Sequence, residues 1–168
     1  DEAYIDFAKA DSCINLIEKY DRLIVCQTLS KAWGLAGARM GIAYTNSTII
    51  DLYNKVKPPY NVSAPNQQAA LQVLENYGEY QQNINNLLQE RDRMEAALSE
   101  IRVVKRIYPS DANFLLIEVE NAEKTYTYLV DKGIIVRNRN NQVKNGIRIT
   151  VGTPQENNQL ITALKNIR

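Results

Sequence analysis

The sequence contains no histidine. That absence excludes a Ser-His-Asp triad, a Cys-His dyad and most zinc centres within these residues. Cysteine is nearly as scarce. Two thiols, Cys13 and Cys26, build no disulfide framework and fit a reducing, cytoplasmic setting. No apolar run approaches the length of a membrane span, and no secretory signal is visible. Net charge is also nearly missing, with 20 Lys and Arg against 19 Asp and Glu. Composition therefore points to no nucleic acid and no anionic membrane as partner. An initial methionine is absent as well, and a start at "DEAYIDF" predicts a piece of a longer chain.

What is present is an ordinary globular composition, 45% hydrophobic and 23% charged over 168 residues, enough for one core and part of a second. Asp11 or Ser12 predicts a helix cap, with the helix running to about Tyr20. Arg22 to Thr28 is a compact apolar run that reads as a strand buried on both faces, and Met40 to Tyr44 reads as another. Helices are predicted over 47–57, stopped by Pro58-Pro59, over 67–77, and over 80–101. Farther on, 103–108, 113–119, 134–137 and 147–151 read as strands, with helices over 125–132 and 154–167. Alternating strands and helices predict an α/β layer with a partly antiparallel sheet.

With histidine excluded, chemistry falls to Lys, Asp, Tyr and Arg. Lys31, in "QTLSKAWGLAGARMG", is placed oddly for a surface lysine, after the run Leu23-Ile24-Val25-Cys26 and before Trp33 and Gly34. An amine between a buried strand and a helix start is predicted to be partly desolvated. A desolvated amine loses its proton more readily, which suits a lysine that condenses with a carbonyl. Thr28, Ser30 and the cation of Arg39, with a helix N-terminus, predict a phosphate site. An aldehyde that is also a phosphate monoester is pyridoxal 5'-phosphate. Its ring nitrogen calls for an anion, offered by Asp1, and its phenolic oxygen for a donor, offered by Tyr4. Each feature has a plainer reading by itself: Lys31 as a solvated lysine, Thr28 and Ser30 as caps, Asp1 to Tyr4 as a polar turn. The joint pattern carries the argument.

That pattern, Asp1-Glu2-Ala3-Tyr4 followed by Thr28-Leu29-Ser30-Lys31, Gly34 and Arg39, resembles the fold-type-I pyridoxal-phosphate aminotransferases. "DEAYIDF", "TLSKAWGLAGARMG", "PPYNVS", "SDANFLL", "GIIVRNR" and "IRITVGTPQEN" occur in order and are similar to the histidinol-phosphate branch of that family. The resemblance implies the C-terminal part of such a transferase, namely the end of a large, mixed, mostly parallel sheet domain plus an α/β small domain. Residues 1–80 would belong to the cofactor-binding domain, 81–102 to a connecting helix, and 103–168 to the small domain. Lys31 is implied as the Schiff-base lysine and acid/base. Asp1, Tyr4, Thr28, Ser30 and Arg39 are implied as cofactor ligands. Arg148 is implied as the clamp on a substrate carboxylate and Arg137 as a ligand of the substrate's phosphate, roles suited to a guanidinium fork. No metal is implied.

The activity implied is amino-group exchange between L-histidinol phosphate and 2-oxoglutarate in histidine biosynthesis, in a cytoplasmic homodimer. A phosphothreonine decarboxylase or an aromatic aminotransferase would share the cofactor residues. A non-catalytic structural or dimerisation piece is the alternative of another class.

Overall fold

The computed structural model describes residues 1–167. They divide into two units, 1–84 and 85 onward.

The first unit opens with an extended segment whose Glu2 N–H donates to the Cys26 carbonyl at 2.7 Å. A 3-10 turn, Ile5–Phe7, follows and buries Phe7 to 1% exposure. Where a helix was predicted from residue 11 to 20, only a second 3-10 turn forms, Cys13–Leu16. Ser12 does cap it, accepting from Ile14 N–H at 3.1 Å, but the Cys13 N–H is taken by the Glu2 carboxylate at 2.7 Å. Leu16 is exposed and Ile14 and Ile17 are only half-buried, so little apolar burial supports a longer helix.

Strands β1 (Val25–Thr28) and β2 (Gly41–Tyr44) pair antiparallel, with Val25 opposite Tyr44 and Thr28 opposite Gly41. The prediction that this first strand is buried on both faces does not hold. Within β1 only Val25 is buried, Cys26 is exposed, and Ile24 just before it is 38% exposed. A two-stranded ribbon is too narrow to cover either of its own faces.

Three helices follow. Helix α1 (Ser47–Val56) is capped by Asn46, whose side chain accepts from Ile49 N–H at 3.0 Å. It ends ahead of Pro58, which disfavours helical backbone at the residue before it. Helix α2 (Ala64–Glu75) starts earlier than its apolar spacing predicts, because Ser63 caps it and Pro65 sits in its first turn. The unit boundary falls within helix α3 (Tyr77–Ser99).

The second unit contains β3 (Val104–Tyr108), β4 (Phe114–Val119), α4 (Ala122–Asp131), β5 (Arg137–Asn138), β6 (Gly146–Thr150) and α5 (Pro154–Lys165). Its four strands lie in the order β3-β4-β6-β5, each pair antiparallel. Strand β4 alternates cleanly: Leu115, Ile117 and Val119 are buried, and Phe114, Leu116 and Glu118 are half-buried. The buried set packs in one cluster with Ile147 and Ile149 of β6, Met94 and Leu98 of α3, Leu129 of α4, and Leu160 and Leu164 of α5. Helices thus cover one face of the sheet. Each fully buried aliphatic side chain contributes roughly 1.5–3 kcal/mol, so this cluster dominates the unit's stability.

A polar contact closes the packing of α3 against the start of α5. Glu90 is nearly buried and accepts from Arg93 at 2.6 and 2.9 Å and from Asn157 Nδ2 at 2.9 Å. Asn157 also bonds both backbone groups of Gly152. A capping box between Thr153 and Glu156 completes this helix start. Among the described residues, no helix is long and apolar enough to cross a membrane, and no acidic, cysteine or histidine cluster could hold a metal.

Candidate functional site

The turn between β1 and β2, with Thr28 at the end of β1, carries four of the six predicted cofactor residues. Leu29 N–H donates to the Met40 carbonyl at 3.2 Å and Leu35 N–H to the Leu29 carbonyl at 2.9 Å, which folds residues 29–40 back on themselves. Gly34, at a φ of +69°, lets the chain turn where a side chain would be strained. Its N–H donates to the Lys31 carbonyl at 3.1 Å. Only a single 3-10 turn follows, Ala36–Ala38, so the predicted helix N-terminus beside Lys31 is absent. A helix dipole therefore contributes nothing beside Lys31.

Thr28 and Ser30 lie together. The Thr28 hydroxyl donates to the Met40 carbonyl at 3.1 Å, stands 2.9 Å from the Ser30 hydroxyl, and accepts from Ser30 N–H at 3.1 Å. Arg39 closes the turn in the left-handed region, with a φ of +53°, and its Nη1 donates to the Ala36 carbonyl at 3.1 Å. Non-glycine residues enter that region at a cost, and such positions cluster at functional turns.

The amino-terminal segment runs beside this turn because Glu2 binds it there. The Glu2 carboxylate accepts from the Ser12 hydroxyl, from Cys13 N–H and from Gln27 Nε2, at 2.7, 2.7 and 2.9 Å. Burial alone would push this carboxyl up, but the hydrogen bonds from Gln27, Cys13 and Ser12 outweigh it and hold Glu2 below the usual carboxylate range. Asp1 caps its own turn, accepting from Ala3 N–H at 2.9 Å. Tyr4 lies where the Lys31 amine approaches its ring, with Nζ 5.6 Å from the centroid. Lys31 is exposed, so the partial desolvation read from its neighbours is not met. Position, rather than burial, distinguishes it.

Two residues that the sequence reading assigned no part complete this unit. Trp33 stacks on Tyr80 of α3 at 3.6 Å between centroids and 6° between planes, and the Tyr80 hydroxyl donates to Asp6 at 2.6 Å. The available signal was that Trp33 is the chain's single tryptophan, two residues past Lys31. Nothing local marks Tyr80.

The second unit places the predicted substrate arginines side by side. Arg137 of β5 is directly opposite Arg148 of β6, so both project from the sheet face away from the helices. Arg148 is also opposite Leu116, and its guanidinium lies 4.7 Å from the Phe114 ring centroid, an arrangement that fixes the fork on an aromatic face. Tyr60, directly after Pro58-Pro59, is 97% exposed with a φ of +58°. Asn113 uses its carbonyl to receive Val151 N–H at 2.9 Å.

Residues 1–164 match the aminotransferase class I and II family. The chain belongs to that family. Among curated members, it is 48% identical over 98% of its length to the histidinol-phosphate aminotransferase of Flavobacterium psychrophilum, of which it spans 48%. The chain spans about half the length of the curated aminotransferases it matches. Among solved structures it superposes on the histidinol-phosphate aminotransferase of Clostridium acetobutylicum with a TM-score of 0.90 at 26% identity, covering 98% of this chain and 52% of that one. A decarboxylase from Sulfurospirillum multivorans gives 0.86 at 31% identity, covering 98% and 51%. The α/β fold is therefore that of the fold-type-I aminotransferases.

Proposed function

We propose that this chain is part of a pyridoxal-phosphate enzyme that moves the amino group of L-histidinol phosphate to 2-oxoglutarate. The observation that carries the reading is the Lys31 amine over the Tyr4 ring at 5.6 Å, beside the Thr28–Ser30 hydroxyl pair. These donors fit the cofactor: an amine for its aldehyde, a phenol for its ring oxygen, and hydroxyls with Arg39 for its phosphate. The 48% identity to a histidinol-phosphate aminotransferase supports the substrate.

When bound, pyridoxal phosphate supplies an electron sink that labilises bonds at the amino-bearing carbon. In this reading Lys31 holds the cofactor covalently and its Nζ carries the proton taken from that carbon. Asp1 keeps the ring nitrogen protonated. Arg148 clamps the carboxylate of 2-oxoglutarate, and Arg137 takes the phosphate of histidinol phosphate. Residues 1–80 are the cofactor-domain portion, 81–102 the connecting helix, and 103–168 the small domain. The full-length protein is proposed to act as a cytoplasmic homodimer.

The test uses the full-length protein loaded with pyridoxal phosphate. Imidazole-acetol phosphate and glutamate should form one for one from histidinol phosphate and 2-oxoglutarate, and Lys31→Ala should abolish both. The similarity to a decarboxylase makes a second assay informative: CO2 release from phosphothreonine, with no glutamate formed, would reverse the assignment.

A further inference from the structure

Resting on the cofactor reading above, we infer that Tyr80 is a positioning residue of the site, pinning the segment that bears Asp1 and Tyr4 and the turn that bears Lys31 to one helix. Both pins sit two residues from the groups they would place. On one side, the Tyr80 hydroxyl donates to Asp6 Oδ1 at 2.6 Å. Asp6 lies in the 3-10 turn that follows Tyr4, where Phe7 N–H donates to the Tyr4 carbonyl at 3.0 Å and Phe7 is buried. On the other side, the Tyr80 ring lies parallel to Trp33 at 3.6 Å, and the Gly34 N–H bond to the Lys31 carbonyl couples Trp33 to the lysine backbone. Tyr77, one helical turn before Tyr80, flanks both rings at 6.4 and 5.7 Å.

The chemistry of the side chain matches two pins. A phenylalanine could stack but not donate, and a serine could donate but not stack. The hydroxyl must also stay protonated to donate. Burial, then the hydrogen bond and negative charge of Asp6, push the Tyr80 phenol well above its ordinary value, so it remains a donor throughout the neutral range. The Lys31–Tyr4 distance is thus held from outside the cofactor residues themselves.

The experiment compares full-length wild type with Tyr80→Phe, Tyr80→Leu and Asp6→Asn. The last keeps an acceptor oxygen for the Tyr80 hydroxyl and is the conservative control. In cofactor-free protein, acetylation of Lys31 relative to the other lysines is followed by peptide mass mapping across pH. With pyridoxal phosphate, affinity is titrated and the attachment site is mapped after borohydride reduction. Melting temperature is recorded for every variant. Tyr80→Phe should change the rate of Lys31 acetylation relative to the other lysines and weaken cofactor affinity by roughly tenfold, the effect of losing one hydrogen bond to a charged group. Tyr80→Leu should lose more, and Asp6→Asn should stay near wild type. Turnover by Tyr80→Phe should fall in kcat with little change in KM.

A lowered melting temperature with an unchanged relative acetylation rate and unchanged affinity would overturn the role and leave Tyr80 merely structural. Capture of the cofactor on another lysine in wild type would overturn both this role and the proposed function. Capture on Lys31 that is weakened in Tyr80→Phe, in a protein inert toward histidinol phosphate, would overturn only the substrate assignment and uphold the positioning role.

Discussion

Arg137 and Arg148 carry like charges and stand directly opposite each other on β5 and β6. Like charges directly opposite on neighbouring strands are destabilising by roughly 0.2–1 kcal/mol. The proposed substrates, a phosphate monoester and an α-keto acid, would give the pair anions to bind. Arg137→Gln should therefore leave the ligand-free protein as stable as wild type or slightly more so at low salt, read as melting temperature. The same change should weaken the phosphate-bearing substrate by about 1.5–3 kcal/mol, roughly ten- to hundredfold. Arg148→Gln should instead fall mainly on 2-oxoglutarate, since histidinol phosphate has no carboxylate. Equal losses for both substrates in both variants would remove the division of labour. The motifs single out each arginine, but their pairing across β5 and β6 is not written in either motif. Register is a property of the sheet, and "VRNR" and "IRIT" are joined only by the β5–β6 ladder.

At the scale of elements, helices α1 to α5 lie near where apolar spacing places them, but α2 and α4 each begin three residues earlier, directly after their Ser63 and Asn121 caps. Asn46, Ser63 and Thr153 each accept from a backbone N–H three residues on, a local signal that survives without tertiary context. The failures share a different cause. The segment from 11 to 20 carries a valid cap, yet it is tied to Glu2 through the Ser12 hydroxyl and the Cys13 N–H, and only a short 3-10 turn forms. The run ending in β1 reads as an inner strand by composition, while burial depends on neighbours that composition cannot name. The Glu90–Asn157 contact, 67 residues apart, was invisible for the same reason. Its consequence is measurable. Hydrogen bonding from Arg93 outweighs burial, and with help from Asn157 holds Glu90 below the usual carboxylate range. A lowered folded-state pKa means that the unfolded chain binds the proton more readily. The contribution is then complete above the ordinary carboxylate pKa of about 4.3 and is lost as pH falls through the folded value. Acid titration of stability should show this loss in wild type and a shallower slope in Glu90→Gln. Asn157→Ala should cost about 1–3 kcal/mol at neutral pH, by leaving Glu90 and the Gly152 backbone short of partners.

For the molecule as a whole, the apolar weight is uneven. The large buried cluster belongs to residues from Met94 onward, while the first unit rests on Phe7, Val25, Leu29, Ala38 and Ala70 together with its aromatic and polar contacts. The bond from Tyr80 to Asp6 joins residues 74 apart in sequence, and closing a loop costs entropy that grows with the logarithm of its length. The β3–β4 hairpin closes a far shorter one. Order of assembly should follow that difference, because long-range contacts are rewarded only after their closure is complete. In pulsed hydrogen exchange during refolding, amides of Leu115, Ile117 and Ile149 should gain protection before those of Leu29 and Leu35. If all five gain protection at one rate, the ordering is wrong. Should the order hold, the Lys31 turn is the last piece to set. A newly made chain would then pass through a stage with its sheet complete and its lysine still unaligned, and the cofactor would be captured only at the close of folding.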